Sequence, residues 1–318
     1  MLNGSLEPLK RLLIVMVLDG DIGEHLILGT AQMGMNYGIG NRTGRPSDEE
    51  IRAIVAAAWG AGIRKFDTAQ AYGDSEIVLG QALHYLKLSE KARIVTKIDT
   101  PADLTDKKKL RKTITESLNR LGVSRLHGLL WHREQVLDLL SEELQTIMSD
   151  LIEEGILEHW GVSLYTPART LQAIDAGVFD LLQVPANVLD RRFETVGVFD
   201  RAEERGMQIH VRSVFLQGLL LMEIEAIPEA MNFSLPVLNL FKEICAEMDR
   251  PRHEIALQYI KSRFPGASVI IGAETTQQVR ENVNAWSGIM MDSWMKRIEE
   301  AFAGVGESVV DPTKWSMQ

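Results

Sequence analysis

The sequence predicts an α/β fold in which eight parallel strands, each followed by a helix, close into a (β/α)8 TIM barrel. Eight short and nearly continuous apolar runs alternate along the 318 residues with amphipathic stretches. Such runs are typical of parallel strands that are buried on both faces. The predicted strands cover residues 26–29, 65–67, 93–97, 128–131, 160–162, 181–184, 208–211 and 269–271. Because barrels of this type reach this length as one unit, we expect residues 1–318 to form a single domain.

The stretches between these strands carry residues that begin and end helices. Ser47 and Glu50 have the spacing of a capping box, which predicts a helix that begins there and runs to Trp59. Gly122 and Gly177 follow amphipathic runs, at positions where a glycine commonly ends a helix. Further helices are predicted over residues 106–121, 144–155, 166–177, 194–205, 236–248, 252–263 and 275–284.

An open, doubly wound sheet is the alternative architecture. It predicts a G-x-G-x-x-G fingerprint directly after the first strand. Residues 29–34 read Gly-Thr-Ala-Gln-Met-Gly, which lacks that spacing and continues into a long loop. The closed barrel is therefore favoured.

The N-terminal segment predicts an additional β-hairpin ahead of the barrel. Residues 12–18 are apolar and are followed by Asp19-Gly20, a dipeptide typical of tight hairpin turns. Lys10 and Arg11 give this run a faint likeness to a secretion signal, but no small-residue cleavage site follows. No apolar run reaches the roughly 20 residues that span a bilayer.

Charge and cysteine content narrow the function classes. The formal net charge of −10 disfavours binding to a phosphate backbone, so no nucleic-acid partner is expected. Cys245 is the single cysteine, which excludes an intrachain disulfide and fits a reducing compartment, and we expect a packed thiol in a cytoplasmic protein.

Four polar residues follow three neighbouring predicted strands at their C-terminal ends, where barrel enzymes carry their active sites. Asp67 ends the second strand and Tyr72 lies five residues later. Lys97 ends the third strand, and His132 follows the fourth. Each side chain alone has an ordinary structural explanation, as a turn cap, a rim aromatic or a surface charge. Their coincidence at one face predicts a catalytic site.

These four residues have the chemistry to reduce a carbonyl group. Tyr72 can donate a proton, and a nearby Lys97 ammonium would lower the pKa of its phenol. Asp67 is the expected counterion of Lys97, and His132 can donate a hydrogen bond to the carbonyl oxygen. Since no side chain supplies a hydride, the reaction requires a cofactor.

The segments that hold these residues resemble the aldo-keto reductase family. Residues 66–73 read Phe-Asp-Thr-Ala-Gln-Ala-Tyr-Gly, residues 94–97 Ile-Val-Thr-Lys, and residues 129–132 Leu-Leu-Trp-His. They are similar, in order and context, to the family segments around its catalytic Asp, Tyr, Lys and His, and the resemblance extends from residue 26 to about 285. It implies NADPH, or NADH, bound across the barrel mouth, and a small carbonyl substrate. The segments at residues 29–39 and 211–220 resemble a bacterial subgroup often associated with surface-sugar metabolism.

The resemblance also implies cofactor-binding residues. Those nearest the nicotinamide and its ribose would be Thr30, Ser163, Gln183 and Arg212. Those at the pyrophosphate would be Ser213, Gln217 and Gly218, and those at the adenosine end Gly272, Gln278, Glu281 and Asn282.

Three positions depart from the family pattern. Leu164 stands where an Asn is usual, and Arg212 where an aromatic side chain commonly stacks on the nicotinamide. The usual basic contacts to a 2′-phosphate are absent, and Glu274 lies nearby. An uncompensated carboxylate beside a phosphate is unfavourable, so NADH remains possible beside the family's NADPH. Arg280 could compensate if it faced the site.

The predicted pocket for the substrate comes from loops after the first, fourth and seventh strands. Its expected wall is Met33, Met35, Asn36, Tyr37, Trp131 and Asn187. Asn36 and Asn187, with Arg42 and Arg45, would suit a polar or phosphorylated substrate such as a sugar aldehyde.

Three other functions remain open at this point. A barrel that binds the cofactor as a sensor with little turnover would keep the same four residues. A Schiff-base aldolase would use a neutral Lys97, which a pairing with Asp67 opposes. A metal hydrolase needs several ligands at the strand ends, where only Asp67 and His132 qualify, so no metal is expected. The sequence does not fix an oligomeric state.

Overall fold

The computed structural model describes residues 22–99 and 106–315, in which eight parallel strands close in sequential order into a barrel. The strands are β1 (Leu26–Gly29), β2 (Lys65–Asp67), β3 (Arg93–Ile98), β4 (Leu126–Trp131), β5 (Leu157–Ser163), β6 (Leu181–Pro185), β7 (Gln208–Arg212) and β8 (Ser268–Gly272). β1 closes the barrel, since Leu28 pairs with Phe66 of β2 and with Ile271 of β8. The predicted fold class and all eight strands are confirmed.

Helices surround this barrel. They are α1 (Ala31–Gly34), α2 (Asp48–Gly60), α3 (Ser75–Tyr85), α4 (Lys107–Leu121), α5 (Glu142–Glu153), α6 (Pro167–Ala176), α7 (Arg192–Thr195), α8 (Val198–Glu204), α9 (Leu235–Glu247), α10 (Arg252–Arg263), α11 (Thr276–Trp286), α12 (Asp292–Ala301) and α13 (Glu307–Val310). Short 3₁₀ turns cover Glu134–Asp138, Leu216–Leu221, Ile224–Ala226, Glu229–Ser234 and Pro312–Lys314.

The local signals in the sequence form the contacts expected of them. The Ser47 amide donates to Glu50 Oε2 at 2.8 Å, and the Glu50 amide donates to Ser47 Oγ at 3.3 Å. This reciprocal pair satisfies amides that the first turn of α2 leaves free. Gly122 and Gly177 end α4 and α6 in the left-handed conformation, at φ 64° and 65°.

The prediction of one continuous helix over residues 194–205 is wrong. Two short helices, α7 and α8, replace it, and Gly197 separates them with φ 76°. That left-handed backbone interrupts the helical hydrogen-bond ladder. Helix α3, over Ser75–Tyr85, was not among the predicted spans. The predicted hairpin over residues 12–20 lies outside the described residues.

The barrel interior explains where the polar residues of the site come from. Val95, Leu130 and Leu181 form an apolar cluster separate from the large core between strands and helices. Side chains on a strand alternate between its two faces. Lys97 and Gln183 follow Val95 and Leu181 by two residues each, so they point to the same interior, one layer nearer the C-terminal rim.

Two smaller expectations concern membranes and the thiol. Within residues 22–99 and 106–315, no helix has the length and apolar character needed to cross a membrane. Cys245 is buried in α9, and burial raises the pKa of its thiol to about 12. It is the packed thiol that the sequence predicts.

Candidate active site

Asp67 and Lys97 form a buried ion pair at the C-terminal rim of the barrel. Lys97 Nζ lies 2.5 Å from Asp67 Oδ1 and also donates to the Thr68 carbonyl at 2.9 Å. The other carboxylate oxygen of Asp67 accepts from Gln183 Nε2 at 2.8 Å. Only 1% of the Lys97 side chain and 5% of that of Asp67 are exposed. The pairing of the lysine with this aspartate, expected from the sequence, is present.

Tyr72 lies against this pair and against His132. Lys97 Nζ is 4.9 Å from the centroid of the Tyr72 ring. The ring centroids of Tyr72 and His132 are 5.6 Å apart, with the rings nearly perpendicular at 87°. The Tyr37 ring is next, at 6.4 Å from that of Tyr72. The structure therefore brings the four residues from three strands into one cluster.

The expectation that Lys97 lowers the pKa of Tyr72 is wrong for this state of the protein. Burial of the phenol raises its pKa well above the usual value, and the Asp67 carboxylate raises it further. The charge of Lys97 is opposed by the carboxylate 2.5 Å away, and it does not offset the rise in the pKa of the phenol. Tyr72 is consequently held in its protonated form, which is the form that a general acid requires.

His132 is held in its neutral form. Burial lowers the pKa of its imidazole to about 3, and the positive charges of Lys97, Arg133 and Arg212 act in the same direction. Its Nδ1 has no hydrogen-bond partner among the described residues, the nearest carboxylate being Asp99 Oδ1 at 3.9 Å. A neutral imidazole can still donate one hydrogen bond to a bound oxygen.

A cleft of about 690 Å³ opens at the rim, and we call it the larger cleft. It is lined by ten of the eleven residues predicted to bind the cofactor, namely Thr30, Gln183, Arg212, Ser213, Gln217, Gly218, Gly272, Gln278, Glu281 and Asn282. A second cavity of about 230 Å³, the smaller cleft, is lined by the eleventh, Ser163, together with His132. Tyr72 lines both.

Several of these residues already have protein partners. Thr30 Oγ1 donates to the Asp67 carbonyl at 2.9 Å and lies 2.7 Å from Ser75 Oγ. Asn282 Nδ2 donates to the Gly272 carbonyl at 3.3 Å. These bonds fix the side chains that line the larger cleft before any ligand arrives.

Two loops meet at the wall of the larger cleft. The Gly40 amide donates to the Gln217 carbonyl at 3.3 Å. A Cβ on Gly40 would lie 3.2 Å from the Gly218 Cα, closer than ordinary van der Waals contact. Gly218 has φ 89°, and Gln217, with φ 55°, shares the left-handed region. The contact therefore requires glycine on both loops.

Leu164 and Arg212, two of the residues that differ from the family pattern, are in direct contact. Arg212 donates to the Leu164 carbonyl at 3.0 Å, and its guanidinium carbon lies 4.5 Å from the centroid of the Tyr165 ring. Its Nε is buried without a hydrogen-bond partner in the described part of the chain. The guanidinium group is thus placed by a main-chain carbonyl and by stacking on an aromatic ring.

The end of the larger cleft nearest β8 carries acidic rather than basic side chains. Burial raises the pKa of Glu274, and no cation opposes that shift. Arg280 donates back to Thr276 Oγ1 at 3.1 Å and does not line the cleft, so it does not compensate that charge. Arg252, to which no sequence pattern pointed, also lines the cleft but donates to Glu223 Oε1 at 2.6 Å.

The predicted wall of the substrate pocket is largely wrong. Of its six residues only Tyr37 lines either cleft. Trp131 and Met33 are buried in the core. On β4, Trp131 follows the interior residue Leu130, so it points to the opposite face, toward the helices. Arg42 lines the larger cleft, whereas Arg45 donates to the Met33 carbonyl at 2.6 Å and pairs with Asp48. The smaller cleft is lined instead by side chains that include Arg133, Tyr165, Pro185, Arg192 and residues 310–313.

Comparison with known proteins decides the family. The model of the Aldo/keto reductase family matches residues 25–303. The chain belongs to the aldo/keto reductase family. As a member of that family it is an oxidoreductase with a (β/α)8 barrel.

Among its relatives within the aldo/keto reductase family, an NADH-specific methylglyoxal reductase of Escherichia coli K12 is 25% identical over 73% of this chain and 81% of its own. A D-threo-aldose 1-dehydrogenase of Pseudomonas is 26% identical over 80% and 89%. The holo form of an aldo-keto reductase from Bacillus halodurans superposes with a TM-score of 0.74 at 23% identity and covers 91% of this chain and 95% of that one.

Proposed function

We propose that this aldo/keto reductase reduces an aldehyde or ketone to an alcohol with NADH or NADPH, and that Tyr72 donates the proton. The observation that carries the proposal is the position of Tyr72, which lines both the larger and the smaller cleft. A group at that junction can reach a substrate in one cleft while a cofactor occupies the other. The nicotinamide, when bound, supplies the hydride that no side chain can supply.

The larger cleft has features that fit an extended dinucleotide. A Cβ on Gly272 would lie 2.1 Å from Gln32 Nε2, so a side chain there would displace the end of the Gln32 side chain at the cleft wall. The unpartnered Nε of Arg212 offers a hydrogen-bond donor between the two clefts. Gln183 and Ser163 lie on the same side as Tyr72 and would contact the nicotinamide amide.

The proton transfer follows from the state of Tyr72. Because burial keeps the pKa of its phenol high, Tyr72 is protonated at neutral pH. It donates this proton to the carbonyl oxygen as that oxygen becomes an alkoxide. His132, neutral because burial depresses its pKa, donates a second hydrogen bond to the same oxygen and polarises the carbonyl.

Lys97 acts after the proton has left. The phenolate of Tyr72 would lie beside the ammonium group, whose Nζ is 4.9 Å from the ring. Asp67 and the Thr68 carbonyl hold that ammonium in place. Tyr72 recovers its proton from solvent through the smaller cleft. The same contacts argue against a Schiff-base aldolase, since Lys97 lines neither cleft and its amine is paired.

The acidic end of the larger cleft supports NADH over NADPH. The half-buried carboxyl of Glu274 has no cationic partner among the described residues, and Arg280 points back to its own helix. A 2′-phosphate at this end would meet negative charge without compensation. The relative named as NADH-specific is consistent with this preference.

Small, oxygen-rich carbonyl compounds are the substrates we propose. The relatives are named for methylglyoxal, glyceraldehyde 3-phosphate and an aldose. The polar lining of the smaller cleft, with Ser163 and Thr313 beside His132, suits a sugar-derived aldehyde.

Two measurements on the purified protein test this function. The first follows tryptophan quenching as NADH or NADPH is added, and we expect saturable binding of both with NADH tighter. The second follows the loss of reduced-nicotinamide absorbance with methylglyoxal, glyceraldehyde and glyceraldehyde 3-phosphate. Failure of both cofactors to bind would contradict the proposal. Binding without turnover of any carbonyl would favour the sensor function instead.

A further inference from the structure

The smaller cleft is lined by three arginines and by one carboxylate, that of Asp311, which lies 3.9 Å from Arg192. Among the described residues, the other two arginines form no ion pair. Arg133 and Arg212 both line the cleft, within reach of Tyr72 and His132. We propose that this cleft selects carbonyl substrates that carry an anionic phosphate or carboxylate group, held by Arg133 together with Arg212. The inference rests on the proposed carbonyl reduction and names the substrate class of that same site.

Arg133 is the first of the two cations. It follows His132 directly in the chain and lines the smaller cleft but not the larger one. Its guanidinium carbon lies 6.0 Å from the centroid of the Tyr165 ring. Within residues 22–99 and 106–315 its guanidinium group forms no hydrogen bond or ion pair, so all of its donors remain available.

Arg212 is the second cation, and its partners are all neutral. It donates to the Leu164 carbonyl at 3.0 Å and to Ser213 Oγ at 3.3 Å. Its buried Nε has no partner in the described chain. Its guanidinium carbon lies 4.5 Å from the same Tyr165 ring that Arg133 approaches. One aromatic ring thus adjoins both groups.

A third arginine that lines the cleft, Arg192, differs from these two because its charge is neutralised by carboxylates. Arg192 donates to both carboxylate oxygens of Asp190 at 2.9 Å and lies 3.9 Å from Asp311. Its charge is therefore balanced within the protein. Of the acids near Arg133, Glu134 accepts from the Tyr165 amide at 3.0 Å and does not line the cleft.

The positive charges of Arg133 and Arg212 influence the pKa values of the reacting groups. Arg133 and Arg212 both lower the pKa of His132, and both oppose the rise in the pKa of Tyr72. The chain as a whole carries a net charge of −10, so this cleft is positive against an acidic background. Such local focusing attracts anionic substrates to the site.

Guanidinium groups suit this ligand class. Their planar fork donates two parallel hydrogen bonds to a carboxylate or phosphate, and these charge-assisted bonds are among the strongest in proteins. Because the anion is bound equally before and during hydride transfer, the expected effect is on KM more than on kcat.

The test compares matched anionic and neutral aldehydes. One pair is glyceraldehyde 3-phosphate and glyceraldehyde, and the other is 4-oxobutanoate and its uncharged amide, 4-oxobutanamide. We expect the wild type to prefer the anionic member of at least one pair in kcat/KM, and the preferred pair identifies the anion as phosphate or carboxylate. Arg133→Gln should lower the anionic-to-neutral ratio by roughly tenfold to a hundredfold, mainly through KM.

Arg201→Gln is the matched control, because Arg201 lies on α8 and pairs with Asp175 outside both clefts. It should leave the ratio unchanged. Direct titration of glycerol 3-phosphate and succinate into the protein without cofactor gives a second readout, in which Arg133→Gln should weaken binding and 0.5 M NaCl should weaken it further.

The outcomes separate this inference from the proposed function. If no aldehyde is reduced with either cofactor, the proposed function fails. If neutral aldehydes are reduced as efficiently as their anionic partners by the wild type, or if Arg133→Gln leaves the ratio unchanged, only the anion site is overturned.

Discussion

Lys97 Nζ lies 2.5 Å from Asp67 Oδ1, and both side chains are almost completely buried. A buried ion pair of this kind gains little over an apolar pair, but removing one partner leaves an uncompensated charge. The pair therefore fixes the position of Lys97 beside Tyr72 at the expense of tolerance to substitution.

Asp67→Asn should destabilise the protein by about 3–5 kcal/mol, since it leaves the Lys97 ammonium buried without its counterion. The double variant Asp67→Asn/Lys97→Met should recover part of this loss, because the charge is removed. Urea unfolding measures both. Asp175→Asn, at an exposed pair with Arg201, is the control and should change little. A double variant less stable than Asp67→Asn would contradict this description of the pair.

Glu274→Ala should shift cofactor preference toward NADPH. The substitution removes a half-buried carboxyl whose pKa is raised by burial and which forms no ion pair within the described residues. We expect the ratio of the NADPH to the NADH dissociation constant to fall by roughly tenfold, equivalent to about 1.4 kcal/mol. Tryptophan quenching measures both constants, and Glu300→Gln on the outer helix α12 serves as control. An unchanged ratio would place the 2′-position of the cofactor elsewhere.

Acid should destabilise the protein through His210. This imidazole is fully buried, its two nitrogens have no partner among the described residues, and burial lowers its pKa well below 6.5. Below pH 6.5 the unfolded chain takes up a proton that the folded protein refuses, so stability falls as the pH falls, by up to about 1.4 kcal/mol per pH unit. His210→Leu should therefore lose less stability between pH 7 and pH 5 than the wild type does in urea unfolding.

The pKa of His159 is shifted in the opposite direction, so this residue serves as the comparison for His210. Asp180, 2.9 Å from its Nδ1, raises the pKa of His159. Its contribution is fully present below pH 6.5 and is lost as the pH rises through the raised value. His159→Gln should make the loss of stability in acid steeper. Equal slopes for the two variants would contradict the assigned shifts.

Gly218→Ala should weaken cofactor binding and stability together. An alanine at φ 89° is strained, and its Cβ would lie 3.1 Å from the Gly40 Cα. We expect a loss of roughly 1–3 kcal/mol in unfolding free energy and a faster release of NADH, measured by stopped-flow fluorescence. Gly60→Ala, where a Cβ meets nothing within 4 Å, should cost no stability. Unchanged NADH release in Gly218→Ala would exclude a role of this loop contact in retaining the cofactor.

The alternation of strand side chains explains why part of the site is predictable from sequence. Lys97 lies in the short apolar strand β3 and His132 directly follows β4, so the period of two and the rim of the barrel fix where they point. The position of Asp67 at the rim follows from the end of β2 alone. Because burying an unpaired charge is costly, a counterion for Lys97 can be expected from the sequence.

The remainder depends on contacts that no local pattern encodes. Residues 310–313 line the smaller cleft, although they lie far from every predicted strand end in the sequence. Arg280 is on the predicted helix, yet its side chain turns to Thr276. The direction of the side chain depends on its rotamer, which the position on the helix does not determine. The pKa of Tyr72 depends on burial and on the charges of Asp67, Arg133 and Arg212, which only the folded chain brings together.

The most direct test of the central claim is single-turnover reduction of an accepted aldehyde by wild type and by Tyr72→Phe, each saturated with reduced cofactor. Phenylalanine keeps the ring beside His132 and removes only the hydroxyl. If Tyr72 is the proton donor, the rate constant should fall by roughly 10²–10⁴-fold while the dissociation constant of the cofactor stays the same. A Tyr72→Phe rate within about threefold of wild type would contradict the claim, because a general acid contributes far more than that.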